Sequence, residues 1–330
     1  MPTSRDSFTG HDQLDRMTHF PVVLLAGPTG VGKTSLAIRL AKHLGAEIIN
    51  ADSMQVYRFM DIGTAKPAPE ERIEVAHHLL DVVTPNEPFD AARYMEMARP
   101  VIDTLHTSGR LPLVVGGTGL YMKILIKGIC SGAPSSEIVR RGLLEQMQCL
   151  GLKALHDELK GVDPILGERI HPNDRQRILR GLEVFRLTGK PLSQWQRHHR
   201  FAEDRYTAVK IALGRERTEL YGRIEQRVFH MMEQGFVAEV EGLLEMGFGP
   251  DLKPMQSLGY RQVVRHLAGE YPIEAAVREI QKDTRHYARR QMTWFRNDPE
   301  YHWFHPDERE RIIEWIDDQL ERYAKPSSIS

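Results

Sequence analysis

Residues 27–34, Gly-Pro-Thr-Gly-Val-Gly-Lys-Thr, restrict what this chain can fold into more than any other feature. A glycine, four residues and then Gly-Lys-Thr is the pattern of a phosphate-binding loop, which joins a strand to the start of a helix. Both neighbours are in the sequence. Residues 21–26 (Pro-Val-Val-Leu-Leu-Ala) form an unbroken apolar run with β-branched members, as in a strand covered on both faces. Residues 35–44 then carry Leu36, Ile38, Leu40, Ala41 and Leu44 mostly at helical spacing, and Gly45 closes that helix. Residues 47–51 read as a second strand with Asp52 at its carboxyl end. The order strand, loop, helix, strand predicts an α/β fold, a P-loop NTPase-like parallel sheet flanked by helices.

The glycines of the loop (Gly27, Gly30, Gly32), set among Pro28, Thr29 and Val31, let backbone N–H groups turn inward around phosphate oxygens. The helix dipole adds partial positive charge there. Lys33 supplies a point charge, and the Thr34 hydroxyl suits Mg²⁺. Such a loop binds a polyphosphate without choosing among them. Many P-loop enzymes that act on nucleotides hold Mg²⁺ through an Asp at the end of another strand. Here the strand predicted at 111–115 runs into Gly116-Gly117, and no Asn-Lys-x-Asp guanine motif occurs. Both points weigh against nucleotide hydrolysis. Asp52 lies at the sheet edge where open α/β folds bind ligands. It can take a proton from a nucleophile or cap a helix, and position alone leaves both open.

At 330 residues the chain is long enough for two domains and a large core. Its 44 Lys+Arg against 45 Asp+Glu give a net charge of −1, so any polyanion must be met by a local patch. Two cysteines, Cys130 and Cys149, argue for a reducing compartment, and no apolar run approaches the ~20 residues that span a bilayer. Residues 1–20 are charged and read as a disordered leader rather than a secretory signal. The expected setting is the cytoplasm. Residues 21–130 and 206–310 are expected to form the catalytic core, 131–205 an all-helical insertion, and 311–330 a C-terminal helix and tail. Residues 217–325 read as helical, with breaks at 247–254 and 299–306. His77-His78 has no spaced Cys or acidic partner, so no zinc site is read there.

Seven segments in order carry a family resemblance: the loop at 27–34, Asp52-Ser-x-Gln-x-Tyr57, Asp61-Ile-Gly-Thr-Ala-Lys66, Val115-Gly-Gly-Thr-Gly-Leu-Tyr121, His171-Pro-Asn-Asp174, Gly259-Tyr-Arg261 and Arg289-Arg-Gln-x-Thr-Trp-Phe295. Together they resemble the bacterial tRNA dimethylallyltransferases, the tRNA isopentenyltransferase (IPP transferase) family. The resemblance implies transfer of a dimethylallyl group from its diphosphate to N6 of the adenosine 3′ of the anticodon, position 37, in tRNAs reading codons that begin with U. The loop would then hold the isoprenoid diphosphate rather than ATP, which accounts for the missing strand carboxylate. The resemblance assigns Asp52 as general base, Lys33 and Arg223 to the leaving group, and Thr34 to Mg²⁺. It implies tRNA contact at Asp52, Ser53, Met54, Gln55, Thr118 and Arg140, at Gln176, Arg177, Ile178, Leu179 and Arg180, and at Gln256, Ser257, Leu258, Gly259, Tyr260 and Arg261. On residue type alone, Arg223 reads as an exposed helix charge and Thr118 as a helix N-cap.

The neutral total hides a basic stretch. Residues 169–200 hold eight Lys and Arg against Asp174 and Glu183 alone, a patch suited to RNA phosphates. Trp195 and Phe201 can stack on bases or belong to a core. Arg285, Arg289, Arg290 and Arg296 form a second cluster beside Trp294 and Phe295. The expected partners are a tRNA anticodon stem-loop and dimethylallyl diphosphate, with no membrane and with the protein as a monomer. An adenylate isopentenyltransferase is the nearest alternative, but a free nucleotide needs no basic insertion. A nucleoside or metabolite kinase would need ATP turnover. A non-catalytic RNA-binding protein would have no use for an intact Lys33, Thr34 and Asp52.

Overall fold

The computed structural model describes residues 21–128, 134–198 and 205–324. The readings made for residues 1–20, Cys130, Arg200, Phe201 and 325–330 lie outside the described residues.

Six strands, all parallel, form one sheet in the order β3-β2-β4-β1-β5-β6. They are β1 Pro21–Ala26, β2 Glu47–Asn50, β3 His77–His78, β4 Pro112–Gly116, β5 Thr207–Leu213 and β6 His302–Phe304. Parallel neighbours need crossovers, and the helices supply them. The first is α1 Lys33–Leu44, then α2 Pro69–Glu74, α3 Ala91–Thr107 and α4 Gly119–Lys127. The central strand shows why the apolar run at 22–26 is unbroken: Val22, Leu24 and Ala26 enter the core on one face with Tyr94 and Ile102. Val23 and Leu25 enter the other with Leu36 and Leu40. At roughly 1.5–3 kcal/mol for each buried Val or Leu, neither face tolerates a polar residue.

The chain divides into two compact units. Among the described residues the larger comprises 21–126 and 205–324, and the smaller 127–128 and 134–198. The smaller unit is helical: α5 Glu137–Val162, α6 Pro164–Arg169, α7 Arg175–Thr188 and α8 Leu192–His198. Gly151 (φ 83°, ψ 158°) breaks α5 into two pieces. These helices enclose their own core of Leu143, Leu155, Leu159, Ile178, Leu179 and Leu182. The larger unit resumes with β5, then α9 Arg217–Glu233, α10 Phe236–Glu245, α11 Tyr260–Leu267, α12 Ile273–Arg296, β6 and α13 Arg309–Ala324. In α13, Ile312 and Ile316 are buried against the sheet.

The sequence reading of 217–325 as helices and breaks misses β6. Three residues are too few to show alternation, and only pairing of Ile211 with His302 and Leu213 with Phe304 makes them a strand. The two-residue β3 escapes notice for the same reason.

Candidate active site

The carboxyl ends of β1, β2 and β4 meet at one edge of the sheet, where open α/β folds bind ligands. The loop after β1 turns through Gly30 (φ 80°) into Gly32 (φ 107°), which caps α1. A side chain at either would be strained, and a Cβ on Gly30 would also meet Ile224 Cγ1 at 3.1 Å. Lys33 Nζ donates to the carbonyls of Gly27 and Pro28, both at 2.9 Å. The Thr34 hydroxyl makes no protein hydrogen bond among the described residues. Three side chains grip the loop from distant elements. Arg223 Nε donates to Gly30 O (2.9 Å), Arg215 Nε to Val31 O (3.0 Å), and Gln291 Oε1 accepts the Thr29 N–H (2.9 Å).

Asp52 sits two residues beyond β2 in a turn of its own making, with Oδ1 accepting the Met54 N–H at 2.9 Å. Asn50 Oδ1 accepts the Asp52 N–H at 3.1 Å. No helix starts here, so Asp52 caps none. Its other oxygen has no hydrogen-bond partner among the described residues. The Thr118 hydroxyl accepts the Ser53 N–H at 3.0 Å, which ties the Asp52 turn to the loop after β4.

Two cavities open at this edge. The first, about 490 Å³, is lined by the loop with Lys33, Thr34, Asp52, Gln55 and Arg223. The second, about 530 Å³, is lined by Asp52, Ser53, Met54, Leu258, Tyr287 and Arg290. Four residues border both: Thr29, Asp52, Thr64 and Arg227. Burial pushes the Lys33 ammonium down to about 8, Asp52 holds it up against that pull, and Arg227 pushes it further down.

The end of β4 explains the absent carboxylate sterically. A Cβ on Gly116 would lie 2.2 Å from Ala51 O, and one on Gly117 would lie 2.2 Å from Gln291 Nε2. Gly116 faces backbone and can carry no side chain, whereas one at Gly117 would have to displace the Gln291 amide. Gln291 Nε2 instead donates to Gly117 O at 3.0 Å, so one amide joins the phosphate loop to the β4 loop.

The positions named for RNA contact divide sharply. Ser53, Met54, Gln55, Ser257, Leu258, Gly259 and Arg261 line one or other cavity, while Gln256 is exposed and bonded to Pro250 O. Gln176 and Arg177 are exposed on α7. Ile178 and Leu179, at 0% and 2% exposure, belong to the core of the smaller unit. Tyr260 is likewise buried. Its hydroxyl donates to Glu239 Oε1 at 2.7 Å, and burial with that carboxylate holds its proton on well above the usual phenol range. Glu239 also accepts the N–H groups of Asp61, Ile62 and Gly63. Gly63 leaves no room for a Cβ, which would fall 2.2 Å from Phe236 Cε2. Within the smaller unit, Arg140 (3.9 Å) and Arg180 (2.9 Å) both reach the buried Glu183 carboxylate, so part of the basic excess is neutralised internally. Arg175, Arg177, Lys190 and Arg197 remain exposed.

Sequence reasoning gave no role to Arg227, Gln291 or Glu239. Arg227 had a signal, its i+4 spacing from Arg223 on one helix face. Gln291 stood inside a quoted motif, and Glu239 had no local mark at all.

A phosphate loop on a parallel sheet, with a carboxylate between two cavities, defines a P-loop α/β protein suited to group transfer from a polyphosphate. The sequence profile of the IPP transferase family matches residues 55–298, and that of the AAA ATPase family matches residues 23–82, the stretch that holds the phosphate loop. The chain is 62% identical over 309 residues to the tRNA dimethylallyltransferase of Syntrophobacter fumaroxidans, covering 92% of this chain and 89% of that one. It also resembles the crystal structure of the full-length tRNA isopentenylpyrophosphate transferase of Bacillus halodurans, at 39% identity and a TM-score of 0.69, over 93% of this chain and 98% of that one. A eukaryotic dimethylallyltransferase captured acting on tRNA matches at 25% identity with a TM-score of 0.78, over 94% and 81% of the two chains. The chain belongs to the IPP transferase family.

Proposed function

We propose that this chain is a tRNA dimethylallyltransferase. It moves the dimethylallyl group of dimethylallyl diphosphate to N6 of adenosine 37, in tRNAs that read codons beginning with U. The observation that carries this reading is the place of Asp52 on the wall shared by the two cavities, one of which contains the phosphate loop. A diphosphate held on the loop and a nucleobase held in the second cavity would meet at that carboxylate.

The loop amides, Lys33 and Arg223 bind the donor's diphosphate. As the allylic C–O bond breaks, its electron pair leaves on the diphosphate, where these groups neutralise it. The adenine amine is a weak nucleophile because its lone pair is delocalised into the ring. Holding it in line with the allylic carbon raises its reactivity, and Asp52 takes the proton that N6 loses. A stacked base cannot reach the cavity, so the adenosine is flipped out. The Thr34 hydroxyl lines the first cavity beside the loop, and a hard oxygen donor there suits Mg²⁺. The Thr34 hydroxyl would hold the ion, which would supply charge neutralisation to the diphosphate.

The larger unit is the catalytic body, and the exposed arginines of the smaller one grip the anticodon stem. No helix among the described residues is long and apolar enough to cross a membrane. The same reading sets the protein in the cytoplasm as a monomer. Incubation with radiolabelled dimethylallyl diphosphate and either bulk tRNA or AMP tests it. Label in tRNA alone is expected, and label in AMP would favour a free-nucleotide enzyme.

Two further outcomes follow from the charges. tRNA affinity should fall steeply with salt, each phosphate contact adding roughly 0.7–0.9 to the log–log slope. Reversing Arg175 and Arg177 to Glu should flatten that slope, and an unchanged slope would show that RNA binds elsewhere. Because Lys33 stays charged only below a pH of about 8, kcat/KM for the donor should be level below that pH and fall above it. A profile still rising through pH 9 would contradict a charged Lys33 at the phosphate.

A further inference from the structure

Glu239, on α10, draws two distant segments of the chain into one corner of the second cavity. Its Oε2 accepts the N–H groups of Asp61 (2.8 Å) and Ile62 (2.6 Å). Its Oε1 accepts the Gly63 N–H (3.1 Å) and the Tyr260 hydroxyl (2.7 Å). Three successive backbone N–H groups turned onto one carboxylate make the kind of nest that can hold a free anion. Here the anion belongs to the protein. Packing closes the same corner: Phe236, the first residue of α10, meets the Tyr260 ring edge to face, with centroids 5.0 Å apart. A Cβ on Gly63 would fall 2.2 Å from Phe236 and 2.6 Å from Tyr260, and one on Gly259 (φ 91°) would fall 3.2 Å from Phe236. Gly63, Phe236 and Gly259 line the second cavity and not the first. Glu239 and Tyr260 stand behind that wall and line neither.

We propose that Glu239 is a positioning residue for the RNA base. By clasping the turn at 61–63 to Tyr260 it fixes the shape of the second cavity, and it touches neither donor nor reacting atoms. The inference rests on the prenyl-transfer reading, which puts the flipped adenosine in that cavity. With the Tyr260 hydroxyl turned inward, the segment at 256–261 meets RNA through its neighbours Ser257, Leu258 and Arg261, which line the cavity. The clasp sets where those residues stand. Bonds to a carboxylate are strong enough to hold a turn in one geometry. The diphosphate is bound by the loop, Lys33 and Arg223, so loosening the clasp falls on one substrate alone.

The test separates the two substrates. Y260F removes the hydroxyl and leaves Glu239 its three backbone donors, so no buried group is orphaned. At saturating donor, KM for an anticodon stem-loop should rise about tenfold in Y260F, as for loss of a hydrogen bond to a charged group. Its kcat, and its calorimetric affinity for inorganic pyrophosphate, should stay within about twofold, since those sites share no partner with the clasp. In E239Q the amide NH₂ faces a backbone N–H whichever way it is turned, so KM should rise further, by about 10². The double variant should be no worse than E239Q, because both changes break one bond. If E239Q does not fold, Y260F carries the test. An unchanged stem-loop KM in folded Y260F overturns the assignment. So does a loss of pyrophosphate affinity as large as the rise in KM, which would mark a general loosening. The prenyl-transfer reading fails separately, in the wild type, if pyrophosphate binds and no label reaches tRNA.

Discussion

Replacing Asp52 by Asn is expected to slow transfer by about 10²–10⁴ while leaving tRNA affinity nearly intact, the usual range for a lost general base. The substitution is close to isosteric. Its amide oxygen can still accept the Met54 N–H that Asp52 Oδ1 accepts at 2.9 Å, so the turn survives. What is lost is basicity at the wall shared by the two cavities. Single-turnover rates with saturating tRNA and donor isolate that loss from binding. Near-normal turnover in the Asn variant would remove Asp52 from proton transfer.

Lys33→Ala should act on the other side of the reaction. Its charge lies on the phosphate loop, so transfer should fall by about 10²–10³, in the range for removing one preorganised donor to a developing anion. tRNA affinity should be spared, because Lys33 lines only the first cavity. Lys33 Nζ also bonds to the Gly27 and Pro28 carbonyls of its own loop. The variant's melting temperature therefore needs to be read beside its rate. A variant that binds tRNA poorly but transfers at the normal rate would contradict the assignment.

The sheet's centre was legible because its signals are local. The apolar run at 21–26, the loop and the helix after it are consecutive, and the strand before Asp52 follows directly. Legibility failed where structure depends on partners far along the chain. β6 exists only by pairing with β5, some ninety residues earlier, as the Leu213–Phe304 match shows. Tyr260 sits in a motif that suggested RNA contact, yet Glu239 draws its hydroxyl inward, and nothing near either residue announces that pairing. Ile178 and Leu179 are a different case. With Leu182 one turn on, they place apolar side chains on the buried face of their helix, which the family resemblance did not weigh. For Asp52 the outcome is intermediate. Sequence placed it at the sheet edge, but only the fold shows it bordering both cavities.

The central claim is that the phosphate loop holds an allylic diphosphate and that no phosphoryl group moves. The closed end of β4, where Gly116 admits no side chain against the Ala51 backbone, supports it. Product stoichiometry tests it most directly, with protein, Mg²⁺, tRNA and dimethylallyl diphosphate mixed without nucleotide. One pyrophosphate released per dimethylallyl group transferred, with no ATP hydrolysis when ATP and tRNA are added together, is the result predicted. A requirement for ATP, or ADP formed in step with modification, would contradict the account and make this a phosphoryl-transfer enzyme.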